Sequence, residues 1–150
     1  MFEPTIVTWI IVIFGFATCM PLLYAQLVLL LQPEGEKAKN ILIGKNEDWR
    51  DKTHFKSAYG MAWADLLLFL PVFIVAVIGI VSAKPWGYTL LAVAGAIQLY
   101  INTVLWFLEK EYVYPNCGPL AYYTYYWGNF MYWGASSMVY GFLRINGIYF

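Results

Sequence analysis

A chain of 150 residues that is 61% hydrophobic and 12% charged lies outside the range of soluble globular proteins, in which about a quarter of the residues carry charge. Its net charge of zero offers no electrostatic basis for binding nucleic acid. The composition therefore predicts a protein surrounded by lipid.

Four long apolar segments cover most of the chain, at residues 4–32, 57–83, 86–108 and 120–143. About 20 apolar residues of helix cross a bilayer, and each segment reaches that length. We therefore predict an all-α membrane protein, a single domain over residues 1–150 built as a four-transmembrane-helix bundle. We expect it to be multi-pass, in the endoplasmic reticulum of a eukaryote or the plasma membrane of a prokaryote.

The connections between these segments predict how the helices follow one another. Residues 33–55 are polar, and a short interfacial helix is expected around residues 40–51. The turn at residues 83–86 is short, so spans two and three should be antiparallel neighbours. Pro115 and Pro119 predict a turn between spans three and four. Most lysines lie in the first loop, which places loops one and three in the cytoplasm and both termini outside.

Every predicted span contributes a polar side chain at one depth. Gln98, Asn102 and Glu109 share one face of the third span, and Trp106 lies on the same stripe. At about 1.5 Å of rise per residue, Asp65, Asn129 and Gln26 lie about 9 to 13 Å from the loop-one side, at the depth of Asn102. Asn and Gln commonly hydrogen-bond between membrane helices, so the layer could be structural.

Asp65 is the strongest functional candidate, because a carboxyl group inside a membrane is expensive and points to function by default. Such a group can donate a proton to an alkene or hold a cationic amine. The aromatic rings of Trp106, Tyr126 and Trp133 would favour a carbocation or an ammonium ion. His54 has no second histidine or acidic cluster beside it in the sequence, so no metal site is predicted.

Several of these residues match a known family. Residues 98–109, with Gln98 and the ending Phe-Leu-Glu, resemble the penultimate helix of the emopamil-binding sterol isomerases, in which an acid stands at the position of Asn102. Residues 119–133 are similar to the last helix of those proteins, and Asp65 followed by Leu70 and Pro71 resembles a segment of the sigma-two receptor. Over about residues 55–143, the chain thus resembles the EXPERA superfamily.

The resemblance implies an intramembrane cavity that opens sideways into lipid and receives a sterol-like or other hydrophobic small molecule. It also implies an acid/base shift of a carbon–carbon double bond. Asp65 would then be the proton donor and Glu109 the acceptor, and no metal or organic cofactor is required. The candidate ligand-binding residues are Gln26, Gln98, Asn102, Trp106, Tyr126, Asn129 and Trp133.

Three functions stay open at this point. The first is a membrane-embedded isomerase of sterol- or isoprenoid-type lipids, favoured by the match in the third span. The second is a non-enzymatic protein that binds a lipid, a sterol or an amphipathic amine, as the sigma-two receptor does. It is favoured because Thr18, Leu22 and Gln26 stand where the isomerases carry a His and a Glu. The third is a small transporter or assembly subunit. Membrane lipid is an expected partner, nucleic acid is not, and a homodimer is left open.

Overall fold

The computed structural model describes residues 2–45, 47–121 and 127–149, with side chains at all of these except 111–119 and 121. Regular secondary structure in these residues is entirely helical. The helices are α1 (Ile6–Leu31), α2 (Glu36–Leu42), α3 (Lys52–Ala64), a π-helical turn (Asp65–Phe69), α4 (Leu70–Val81), α5 (Pro85–Ala121) and α6 (Gly128–Ile145).

Three stretches of helix are long and apolar enough to cross a bilayer, namely Ile6–Leu31, the continuous helix Lys52–Val81, and Pro85–Lys110. Each is at least 26 residues long and exceeds the length that a hydrocarbon core requires. The all-helical prediction is confirmed for the described residues, and the three stretches are compatible with an integral membrane protein.

The chain divides into two compact units. Unit 1 comprises Met1–Thr18 and Val72–Phe150, and unit 2 comprises Cys19–Pro71. Unit 1 contains the start of α1 together with α5, α6 and nearly all of α4. Unit 2 contains the rest of α1 together with α2, α3 and the π-helical turn.

Helices α5 and α6 of unit 1 approach each other closely at glycines. A Cβ atom on Gly134 would lie 2.7 Å from the carbonyl oxygen of Gly95 and 2.8 Å from the backbone nitrogen of Leu99. A Cβ atom on Gly95 would lie 2.6 Å from the carbonyl oxygen of Gly134. Small residues of this kind let membrane helices pack backbone against backbone.

The turn between α4 and α5 has a Schellman geometry. The Lys84 N–H donates to the Gly79 carbonyl and the Ala83 N–H donates to the Ile80 carbonyl, each at a distance of 2.9 Å. Ala83 adopts a φ of 53°, a left-handed conformation that this motif requires and that glycine usually supplies. The connection that the sequence predicted at residues 83–86 is thus short, as expected, but it lies at residues 82–84, between the end of α4 at Val81 and the start of α5 at Pro85.

The core of unit 2 packs the short helix α2 against α1 and α3. Ala38 of α2 is fully buried, as are Leu29 of α1 and Ala62 of α3. Trp49 covers this cluster and makes an edge contact with Phe55, with ring centroids 5.3 Å apart. The loop between α1 and α3 is thereby packed onto the helices.

Two helix boundaries differ from the prediction. The short helix predicted around residues 40–51 is found earlier, at Glu36–Leu42. Asp51 instead caps the start of α3, where its side chain accepts hydrogen bonds from the Thr53 and His54 N–H groups. The turn predicted at Pro115 and Pro119 is helical, since α5 continues to Ala121. Each proline removes one backbone donor, but its φ near −65° is itself a helical value.

We predict that Gly134→Ala destabilises unit 1 by about 1 to 3 kcal/mol, because the added methyl meets backbone atoms that cannot move aside independently. Gly60→Ala is the matched control. It lies within α3 with open space around it, and should stabilise the helix by up to about 1 kcal/mol. Thermal unfolding in one detergent measures both, and equal effects of the two substitutions would contradict the close approach of α5 and α6.

A second prediction concerns the pH dependence of the α3 cap. Hydrogen bonds from the His54 and Thr53 N–H groups lower the pKa of Asp51 below its usual value of 3.8. A carboxyl group whose pKa is lower in the folded than in the unfolded state stabilises the fold at pH values above its unfolded pKa. This stabilisation is lost as the pH falls through the pKa of the folded state. The Thr53 and His54 amide resonances should therefore titrate with a midpoint below 3.8, and Asp51→Asn should abolish that titration. A midpoint at or above the usual value would contradict the cap.

Candidate ligand-binding site

The site begins with a contact between two buried polar side chains of unit 2. Gln26 Nε2 donates a hydrogen bond of 2.6 Å to Asp65 Oδ2. Gln26 is 6% exposed and Asp65 is 8% exposed. The structure thus brings together two of the residues that the sequence placed at the same depth.

A local distortion of the helix accompanies Asp65. The Leu70 N–H donates to the Asp65 carbonyl five residues earlier, which makes Asp65–Phe69 a π-helical turn. Pro71 explains the distortion, because a proline has no N–H and its ring clashes with the carbonyl four residues before it, which a wider turn relieves. π-Helical turns of this kind occur frequently at functional sites.

Gln26 keeps one polar atom unsatisfied. Its Oε1 oxygen is buried and accepts no hydrogen bond from the described residues. A buried acceptor without a donor carries a desolvation penalty of about 1 to 3 kcal/mol. This oxygen, beside a carboxyl group, could accept a hydrogen bond from a hydroxyl or an amine.

Cys19 adds a third group to this part of unit 2. It lies seven residues before Gln26 on the same face of α1, and it is fully buried. Cys19 was not among the predicted site residues, although its spacing from Gln26 is the signal that could have found it.

A second pair of amides is buried in unit 1. Asn102 Nδ2 donates to both the backbone carbonyl and the Oε1 atom of Gln98, each at a distance of 2.8 Å. Asn102 Oδ1 is buried and accepts no hydrogen bond from the described residues. The spacing of four residues predicted this shared face correctly. The single polar layer predicted across all four helices includes residues of both units and stays a prediction.

Trp133 has the surroundings of a packing residue. It is fully buried in unit 1, and its indole N–H donates a hydrogen bond of 2.9 Å to the Ile11 carbonyl. Its ring contacts the Phe73 ring edge-on, with the ring centroids 5.2 Å apart. A Cβ atom on Gly15 would lie 2.6 Å from its Nε1 atom, so α1 approaches the indole closely. A ligand-binding role for this ring stays a prediction.

The other predicted site residues are less enclosed. Asn129 near the start of α6, and Trp106 and Glu109 on α5, are all partly buried. Tyr126 lies outside the described residues. Within the described part of the chain, no group of three or more His, Cys, Asp and Glu residues is placed to hold a metal ion.

Comparisons with known proteins returned no match. No protein-family model, no curated protein and no solved structure matches this chain. The assignment of a function therefore depends on the chemistry of the buried polar groups.

We predict that Gln26 and Asp65 are energetically coupled. Gln26→Leu removes a donor from a buried carboxyl group and should destabilise the protein by about 1 to 3 kcal/mol. In an Asp65→Asn background the same substitution should have a smaller effect. We expect a coupling energy of about 0.6 kcal/mol, the average for hydrogen bonds between membrane helices, and at most about 1.7 kcal/mol. A double-mutant cycle of unfolding in detergent measures this coupling, and additive effects would contradict the contact.

Proposed function

We propose that this chain is a multi-pass membrane protein that binds a hydrophobic small molecule of the sterol or isoprenoid type, or an amphipathic amine, through Gln26 and Asp65. The observation that carries the proposal is the buried hydrogen bond between these side chains, with Gln26 Oε1 left without a donor among the described residues. A carboxyl and an amide enclosed by apolar helices can recognise only a ligand that reaches them through apolar surroundings.

The proposed architecture is a four-helix transmembrane bundle with an intramembrane cavity, in which α6 is the fourth span. Helix α6 has 18 residues and is therefore about 27 Å long, close to the thickness of a hydrocarbon core of about 30 Å. Its glycine contact with α5 supports a place beside an apolar helix.

The chemistry of the pair restricts the ligand. The unsatisfied Oε1 atom requires a donor, which a sterol hydroxyl or a protonated amine provides. An amine would also place its positive charge beside the Asp65 carboxylate, and such charge-assisted hydrogen bonds are about twice as strong as neutral ones. Hydrocarbons and ketones, which donate no hydrogen bond, should bind weakly.

Isomerisation of a double bond is the second candidate function, and the buried carboxyl of Asp65 is the observation in its favour. The reaction requires a proton donor on one side of the alkene and an acceptor for a neighbouring proton. Gln26 cannot accept a proton at neutral pH, so the acceptor has to be another group, for which Glu109 stays the prediction. Incubation with a ring-unsaturated sterol in heavy water tests this function through deuterium incorporation.

The binding proposal predicts that a photoreactive sterol and a hydrophobic tertiary amine both bind the purified protein. Asp65→Asn should weaken amine binding by about tenfold or more, because it removes the paired charge. Gln26→Leu should weaken binding of both probes, because it removes the acceptor. Native mass spectrometry and photolabelling in detergent measure these effects.

Glu34→Gln is the matched control, since it removes an acidic charge from the exposed loop and should leave both probes bound. Undiminished binding of both probes to folded Asp65→Asn and Gln26→Leu variants would overturn the assigned site. The proposed function would be overturned if the wild-type protein bound neither the sterol probe nor the amine probe.

A further inference from the structure

A buried cation lies at the C-terminal end of α6, in unit 1. Arg144 is in the last turn of α6 and is 1% exposed. Its Nη2 atom donates a hydrogen bond of 2.6 Å to the Glu3 carbonyl and one of 3.1 Å to the Tyr88 hydroxyl. The guanidinium carbon lies 4.7 Å from the centre of the Tyr88 ring and 4.8 Å from that of Tyr149.

These contacts leave the guanidinium only partly satisfied. Its Nε and Nη1 atoms are buried and donate no hydrogen bond to the described residues. The salt bridges among the described residues involve Lys39 and Arg50 and do not include Arg144. Carbonyl oxygens, ring faces and the C-terminal dipole of α6 stabilise the charge, but none of them neutralises it.

Hydroxyl groups surround the same end of unit 1. Tyr140, one turn before Arg144, has its hydroxyl 2.6 Å from Thr8 Oγ1 and 3.0 Å from Thr5 Oγ1. Thr5 and Thr8 also cap the start of α1 reciprocally, because the N–H of each donates to the hydroxyl of the other. The start of α1 is thereby held in place beside the end of α6.

An apolar groove leads to this polar end. It is shallow and open, has a volume of about 430 Å³, and lies between α1 and α6. Its lining residues are Val7, Ala135, Ser136, Val139, Tyr140 and Leu143. From Ala135 to Leu143 the groove follows α6 for about 12 Å, and Arg144 is the next residue along the helix.

We propose that this groove and Arg144 form a binding site for an anionic phospholipid, distinct from the Gln26 and Asp65 pair. One acyl chain lies in the groove, and the phosphate oxygens accept hydrogen bonds from Arg144 Nε and Nη1. Arginine suits this role because its charge persists when it is buried and its donors match phosphate oxygens. Charge complementarity favours an anionic head group over a zwitterionic one.

Tyr149 covers the guanidinium in the described conformation. It lies two residues after Gly147, whose φ of 78° turns the chain after α6, and it is 44% exposed. A phosphate that reaches Nε and Nη1 replaces the Tyr149 ring over the guanidinium. The ring thus helps to shield the cation from water.

The test compares phosphatidylglycerol with phosphatidylcholine by native mass spectrometry of the full chain in detergent. We expect preferential binding of phosphatidylglycerol, weakened about tenfold or more by Arg144→Gln, because charge-assisted hydrogen bonds are lost. Ser136→Phe should weaken binding of the same lipid by filling the groove while Arg144 stays intact. Since Ser136 is exposed, this variant decides the matter if Arg144→Gln does not fold.

Lys84→Gln is the matched control, because it removes an exposed positive charge at the α4–α5 turn without touching the groove. The proposal is overturned if Lys84→Gln weakens phosphatidylglycerol binding as much as Arg144→Gln does, or if folded Ser136→Phe binds like the wild type. Inorganic phosphate that displaces the lipid at equal concentration would show that the acyl groove has no part, and would overturn the lipid assignment. Retained sterol or amine binding by Arg144→Gln separates this site from the Asp65 site.

Discussion

Polar groups enclosed by apolar helices must find their hydrogen-bond partners within the protein, because hydrocarbon supplies none. This constraint explains the main polar contacts of the chain. Gln26 donates to Asp65, Asn102 donates to Gln98, and the Trp133 indole donates to a backbone carbonyl of α1. Each of these contacts fixes a side chain that would otherwise be costly to bury.

The same constraint makes the exceptions informative. Most buried polar atoms in proteins are paired, so an unpaired atom calls for an explanation such as a ligand. Among the buried polar atoms that have no partner in the described residues, Gln26 Oε1 is an acceptor beside an acid, and Arg144 Nε and Nη1 are donors on a cation. The two places therefore favour ligands of opposite chemistry, a hydrogen-bond donor at the first and an anion at the second.

Prolines and glycines position these groups. Pro71 follows the π-helical turn that contains Asp65, and Gly134 lets α6 approach α5 closely. Neither residue carries chemistry of its own. Their effect is geometric, because one perturbs the hydrogen bonding of a helix and the other removes the side chain that would separate two helices.

The sequence by itself determined the helical class, the apolar stretches of α1, α3–α4 and α5, and the presence of one acid, Asp65, within such a stretch, since hydropathy and an isolated acid are local properties. Spacing along one helix also predicted that Gln98 and Asn102 share a face. The partner of Asp65, the packing of Trp133 against Gly15, and the burial of Arg144 beside Tyr88 were decided only by the tertiary structure. Each joins residues at least 39 positions apart, and no local pattern specifies which distant side chains meet.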